Sequence, residues 1–278
     1  MSKFDSKDKL DALIYKTYNV LSDIIFGFNF QSKSLVRRNA AYKDIHSGQR
    51  CFILGTGPSL ACLGEDQIER LSTEIVFGVN SLYKSTLANK ITPKYYTLID
   101  NLYWEDARLY STSLSPTFGE IANKYLHNPP VFITDPRAKY VVEDIASENN
   151  PIYIYSKKYP TEEMSADITG NVYAAMNCVT YSVLAAIFMG FKEVYILGCD
   201  YNAFCNFGSG HCYDDKDELK NNKYNLGFYL KFYAITTEFH YLTAKLAKNA
   251  GIKVINLTPG SLLDAYPRES LEGVLGQC

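Results

Sequence analysis

The sequence predicts an α/β protein: a parallel sheet with helices on both faces. Three observations carry that expectation. Short apolar runs recur along the chain, each ended by Gly, Asn or Asp, and an unbroken apolar run of strand length reads as a strand buried on both sides. Longer amphipathic or apolar stretches separate the runs, giving the βα alternation of a parallel sheet. Two long helical stretches, 171–189 and 226–250, each end on a glycine (Gly190, Gly251), the residue a helix C-terminus favours.

Residues 6–28 form an amphipathic helix, with Leu10, Ile14, Leu21, Ile25 and Phe28 at helical spacing, joined by Leu13, Tyr18 and Ile24. Lys33, Arg37, Arg38 and Lys43 follow it. The apolar face is expected to pack on the body of the protein or on a second copy. The other reading is a peripheral membrane contact with a basic flank, against which Asp23 and the modest basicity weigh. Residues 1–47 read as a helical extension and 48–278 as the main domain.

Cys51 to Leu54 run straight into Gly55-Thr56-Gly57-Pro58-Ser59. This is the first strand and a tight turn, whose glycines let the backbone come close to a ligand. Pro58 and Ser59 suit the start of a helix. Strand, turn and helix N-terminus together would present unpaired N–H groups to an anion, such as a nucleotide or sugar phosphate. The stretch is neither Gly-x-Gly-x-x-Gly nor a Walker loop, and the plainer alternative is a tight turn with no ligand. Further elements follow in order: a helix over 65–72, strands over 74–80, 94–100 and 131–135, a helix from Asp135 through Ser147, a strand over 152–155, the helix 171–189, a strand over 193–198, the helix 226–250 and a strand over 253–257.

In such a sheet, ligands bind at the carboxyl ends of the strands. Those ends carry Thr56 and Ser59, Asn80 and Ser81, Asp100 and Asn101, Asp135, and Asp200 and Tyr201. Single Asn or Asp residues are ordinary in turns; five strand ends in succession point to one site. Residues 202–225 lack any period and read as a lid carrying His211 and Tyr213, a candidate base and a candidate phosphate ligand. Asp215-Lys216-Asp217 matches a metal-binding Asp-x-Asp pattern but sits in a charge run, so it reads as a solvated face. His46 and His127 lie in turn-like contexts, and His240 lies within a helix, where packing is the expected role.

Composition bounds the function. With 278 residues, 47% hydrophobic and 21% charged, the chain can bury a large core, and a net charge of −2 gives no reason to expect nucleic acid. The seven Cys form no Cys-x-x-Cys pair, which suggests reduced thiols and the cytoplasm. The 23 Tyr read mostly as packing residues. The polar start MSKFDSKDKL does not look like a leader, and no 18-residue apolar run occurs.

Several stretches in order resemble the MptE-like family: CFILGTGPSL, FGVNSLY, PKYYTLID, VTYSVLAAIFMGFKEVYILGCDYN, His211 with Tyr213 and Asp214, and KVINLTPGSLLDAYPR. The resemblance spans roughly residues 48–270 of the chain. Its archaeal members include a pterin diphosphokinase, and bacterial members accompany surface-polysaccharide or flagellar glycosylation genes. The layout is also similar to the Campylobacter-type sialyltransferases and the motility-associated flagellin nonulosonate transferases. The resemblance implies a Rossmann-like fold and a glycosyltransferase that moves an acidic, sialic-acid-like sugar from a CMP-sugar donor to a surface glycan. Gly55, Thr56, Gly57, Pro58 and Ser59 would hold phosphate or ribose. Asn80, Ser81, Asp100, Asn101, Asn177, Cys178, Gly198 and Asp200 would line the nucleotide and sugar. Tyr201 and Tyr213 would stabilise the departing phosphate, and His211 would be the base, with no metal. This sequence has Thr56 where the sialyltransferase loop has Asn, Asp100-Asn101 in place of Asn-Pro, and Asn177-Cys178-Val179 near the position of Thr-Ser-Gly. Two further readings follow: an ATP-dependent diphosphotransferase with Mg²⁺ on Asp100 and Asp135, and a non-catalytic glycan-assembly partner. A homo-oligomer and a peripheral position at the inner membrane face fit the N-terminal helix.

Overall fold

The computed structural model describes residues 3–104, 116–145, 150–161, 164–205, 210–216 and 225–276. Its strands are β1 (Arg50–Leu54), β2 (Val76–Val79), β3 (Tyr95–Leu98), β4 (Val131–Thr134), β5 (Ile152–Tyr153), β6 (Tyr155–Lys158), β7 (Asn171–Tyr173), β8 (Glu193–Leu197) and β9 (Lys253–Asn256). Its helices are α1 (Lys3–Phe28), α2 (Phe30–Arg37), α3 (Glu65–Ser72), α4 (Thr117–Lys124), α5 (Lys139–Val142), α6 (Cys178–Phe188), α7 (Leu226–Asn249) and α8 (Leu271–Leu275). Seven strands form one sheet in the order β5-β4-β3-β2-β1-β8-β9, with every pairing parallel. β6 and β7 form a separate parallel pair.

The apolar runs are continuous because both faces are covered. In β1, Cys51 and Ile53 enter a core shared with α6 and α7, while Phe52 and Leu54 enter a second core with α3, α4 and α8. Every residue of α6 is buried, since the sheet takes one side of it and α7 packs on another. Truncating a fully buried residue there, such as Leu184→Ala, would cost about 2–5 kcal/mol.

Several boundaries differ from expectation. The turn after β1 leads into a five-residue 3₁₀ turn, Pro58–Cys62, and the first α-helix of the main domain starts only at Glu65. Residues 171–173 are strand β7, and α6 begins at Cys178 because the Asn177 side chain accepts the Thr180 N–H at 3.1 Å. The stretch after Asp135 is a 3₁₀ turn and the single turn α5, and residues 146–149 lie outside the described residues. Helices α2, α4 and α8 are additions to the expected elements.

The largest difference is the orientation of α1. Its more polar side faces the body, with Phe26 packed on Tyr155 as its apolar anchor. Asn19 exchanges two hydrogen bonds with the main chain of Tyr159, at 2.8 and 3.0 Å. Ser22 donates to the Lys157 carbonyl, Asp23 pairs with Lys158 at 2.9 Å, and Tyr15 stacks on Tyr159. The expected packing face, with Leu10, Ile14, Leu21, Ile25 and Phe28, is exposed. Behind α1, buried Asn39 pins the extension to the sheet edge: its amide accepts the Tyr153 N–H and donates to the carbonyls of Tyr153 and Ile168. That contact covers part of edge strand β5.

Candidate functional site

Strand β1 has β2 on one side and β8 on the other, so the strand order reverses there, the place in a parallel sheet where a crevice forms at the carboxyl ends. A cavity of about 500 Å³ lies there. Of the residues expected at the site, Gly55, Thr56, Gly57, Asn80, Asp100, Asn101, Asn177, Cys178, Gly198, Asp200, Tyr201 and His211 line it. Asn80, Met176 and Tyr201 on its wall have φ of +47°, +52° and +59°, and such left-handed non-glycine residues gather where tertiary structure imposes a conformation.

The opening loop does not work as an open cradle of N–H groups. The Gly55 N–H donates to the Leu197 carbonyl at 2.7 Å and the Gly57 N–H to the Gly198 carbonyl at 2.8 Å. Ser59 donates its hydroxyl and its N–H to Asp200, at 2.8 and 3.3 Å. The glycines serve the contact between the β1 and β8 loops: a Cβ on Gly55 would run into the Gly198 carbonyl, and one on Gly57 into the Asp200 carboxylate. Pro58 and Ser59 lie outside the cavity wall, as does buried Ser81. Thr56 remains as the loop residue whose N–H and hydroxyl have no protein partner among the described residues. The helix N-terminus at the cavity is that of α6, where Asn177, Cys178 and Val179 line the wall. Its positive end favours an anion.

Asp200 is buried, which raises its carboxyl above the usual carboxylate range, and its bonds from Ser59 pull the other way. Cys178 donates its thiol to the Asn80 side-chain oxygen at 2.9 Å, and burial pushes that thiol up to about 12, so it stays protonated. Asp100 spends one oxygen on the Leu102 N–H.

The two expected phosphate-binding tyrosines are placed otherwise. Tyr201 donates its hydroxyl to Thr236 at 2.5 Å, leaving only acceptor capacity. Tyr213 is buried and stacks flat under His211, with ring centres 4.9 Å apart. His211 lines the cavity, and its Nδ1 lies 2.9 Å from Oδ2 of Asp215. That carboxylate also accepts the Gly210 N–H at 2.9 Å. Asp215, which the sequence places on a solvated face, is 2% exposed and orients His211. Asp217 and the lid residues 206–209 and 217–224 lie outside the described residues. The described part of the lid is tied to the opening loop, Cys212 N–H to Thr56 carbonyl at 2.9 Å. His46, bonded to Tyr95 and Gln49, is a buried packing residue, as is His240.

Sequence reasoning missed two cations on the wall, Arg137 and Lys157. Arg137 holds Asp135 with Nε and Nη2 at 2.9 and 3.1 Å and lies over the Trp104 ring. Its position two residues after a strand-end Asp was the available signal. Lys157 sits on β6, in a stretch with no legible period, and has no acidic partner among the described residues. The donor set expected for Mg²⁺ does not fit: Asp135 is occupied by Arg137, and no group of three His, Cys, Asp or Glu is suited to a metal among the described residues.

The model of a family described as 6-hydroxymethylpterin diphosphokinase MptE-like matches residues 28–204. Among solved structures, the chain is similar to the MAf glycosyltransferase from Magnetospirillum magneticum AMB-1, at 17% identity and a TM-score of 0.46, covering 89% of this chain. It spans 39% of the length of that protein. It is also similar to the sialyltransferase CstII from Campylobacter jejuni in complex with CMP-3FNeuAc, at 17% identity and a TM-score of 0.48, covering 80% of this chain and 86% of that one. No curated protein matches the sequence.

Proposed function

This chain belongs to the MptE-like family, and from the chemistry of the cavity we propose that it is a glycosyltransferase moving an acidic sugar from a CMP-sugar to the hydroxyl of a surface glycan. The observation that carries the reading is His211 on the wall of the cavity at the β1/β8 crevice, backed by buried Asp215. With the Nδ1 proton directed at Asp215, Nε2 is the basic nitrogen, and His suits proton transfer near neutral pH. The acceptor oxygen would attack the anomeric carbon. The bond from that carbon to the phosphate oxygen would break, CMP would leave with the electron pair, and the hydroxyl proton would pass to Nε2.

The leaving phosphate and the sugar carboxylate need positive charge or donors placed in advance. Thr56, the α6 N-terminus and Lys157 would supply these on the cavity wall. Asp200 and Asn80 would line the nucleotide. The reading puts the protein in the cytoplasm or against the inner face of a membrane; among the described residues, no helix is long and apolar enough to cross one.

The test is product formation, by mass spectrometry, from CMP-sialic-acid-like donors or from ATP, each with EDTA or with Mg²⁺. Sugar transfer that survives EDTA supports the proposal. ATP turnover that requires Mg²⁺, with no use of any CMP-sugar, would assign the chain the diphosphotransferase activity in its family's description.

A further inference from the structure

Helix α1 is mounted by its more polar side and carries an apolar row outward. Leu10, Ile14, Leu21, Ile24 and Phe28 are 57, 52, 54, 52 and 75% exposed, and exposed Thr17 completes the row. The positions 10, 14, 17, 21, 24 and 28 alternate steps of four and three residues. That spacing is the a/d pattern of a helix seam that meets another helix. A soluble monomer rarely leaves so continuous an apolar patch open.

The charge pattern separates two occupants. A helix that lies on a membrane borders its apolar face with an excess of Lys and Arg, which anionic lipid attracts. Over its 26 residues α1 carries four Lys and four Asp, so its net charge is zero. The charges are interspersed, as in the Lys7–Asp11 pair at 2.5 Å. The helix itself offers anionic lipid no net charge, and of the basic residues that follow it Arg38 is held by Glu143 at 3.2 Å, while two copies of α1 face no net repulsion. The area also suffices. At about 100 Å² per half-exposed large side chain, the row together with Leu13, Val20 and Ile25 offers on the order of 800 Å² per copy, about one side of a standard stable interface.

We propose that α1 packs against α1 of a second copy, with Leu21 and Ile24 within the seam, so that the chain is a homodimer. This goes beyond the proposed activity and does not depend on it.

The test is the mass of the full 278-residue chain by light scattering over a wide range of concentration, with circular dichroism and a vesicle-flotation arm. The expected mass is twice 31.4 kDa. The double variant Leu21→Glu/Ile24→Glu should be monomeric with unchanged helix content, because the polar contacts of Asn19 and Ser22 still hold α1 in place. Its dissociation constant should rise at least about 100-fold. Leu126→Glu, an exposed apolar residue outside α1, should stay dimeric. A monomeric wild-type chain would overturn the proposal, as would a dimer that survives the double variant. A monomer that floats with phosphatidylglycerol vesicles, and stops doing so in the double variant, would assign the face to a membrane instead.

Discussion

Nδ1 of His211 lies 2.9 Å from Oδ2 of Asp215, a carboxylate that is almost fully buried and also accepts the Gly210 N–H. Such a carboxylate holds the imidazole in one orientation and one tautomer, and Tyr213, stacked flat on the ring, limits its tilt. His211→Ala should lower kcat by about 10²–10⁴-fold. Asp215→Asn keeps the shape but offers an N–H to Nδ1, which favours the tautomer protonated on Nε2. It should lower kcat by about 10²–10⁴-fold with little change in KM. The ¹⁵N spectrum of labelled imidazoles should show the tautomer change. Wild-type kcat in a folded Asp215→Asn protein would remove the positioning role and leave the sugar-transfer reading to the EDTA experiment.

The contact between Gly57 and Asp200 changes what a loop substitution should do. A Cβ at Gly57 meets the Asp200 carboxylate and comes within 2.7 Å of the Gly198 carbonyl oxygen. Gly57→Ala should therefore destabilise the fold by about 1–3 kcal/mol, a typical overpacking cost, and lower nucleotide affinity with it. In the sequence these glycines read only as room for a ligand to approach the backbone. Denaturant melts of wild type and variant check this, and equal midpoints would show that the two loops can separate at no cost.

Lys157 tests how the cavity handles charge. Lys157→Met removes a cation from the wall without breaking an ion pair among the described residues. A charged hydrogen bond to substrate contributes about 1.5–3 kcal/mol, so KM for an acidic-sugar donor should rise about 10–100-fold while the melting temperature stays put. Steady-state kinetics with the CMP-sugar decide it; an unchanged KM would place the sugar carboxylate away from β6.

Stability should fall in acid through His240. Burial lowers this residue from 6.5 to about 3. Between those values the unfolded chain binds a proton that the folded chain excludes, so stability is full above about pH 6.5 and is lost as pH falls toward 3. Each pH unit well inside that window removes about 1.4 kcal/mol. His46, also lowered by burial, acts in the same direction. Melts at stepped pH should show the slope, and His240→Gln should flatten it.

The sequence by itself determined the sheet and where its polar carboxyl ends lie. Runs such as Cys51–Leu54 and Val194–Leu197 are apolar at every position because both faces of the sheet are covered, and that pattern is local enough to read directly. The polar residues that close those runs then meet at one crevice as a consequence of parallel topology. Only the tertiary structure decided which donors are spent. Gly55 and Gly57 satisfy the carbonyls of Leu197 and Gly198, Ser59 satisfies Asp200 across 141 positions, and Asp215 leaves a run of charges to become buried under His211. It also decided which side of α1 meets the body. Periodicity shows that a helix has an apolar face. Whether the body covers that face depends on Asn19 finding the main chain of Tyr159, 140 positions away. Hydrogen-bond partners so distant in the chain leave no local pattern, because the fold brings them together and neighbouring residues do not.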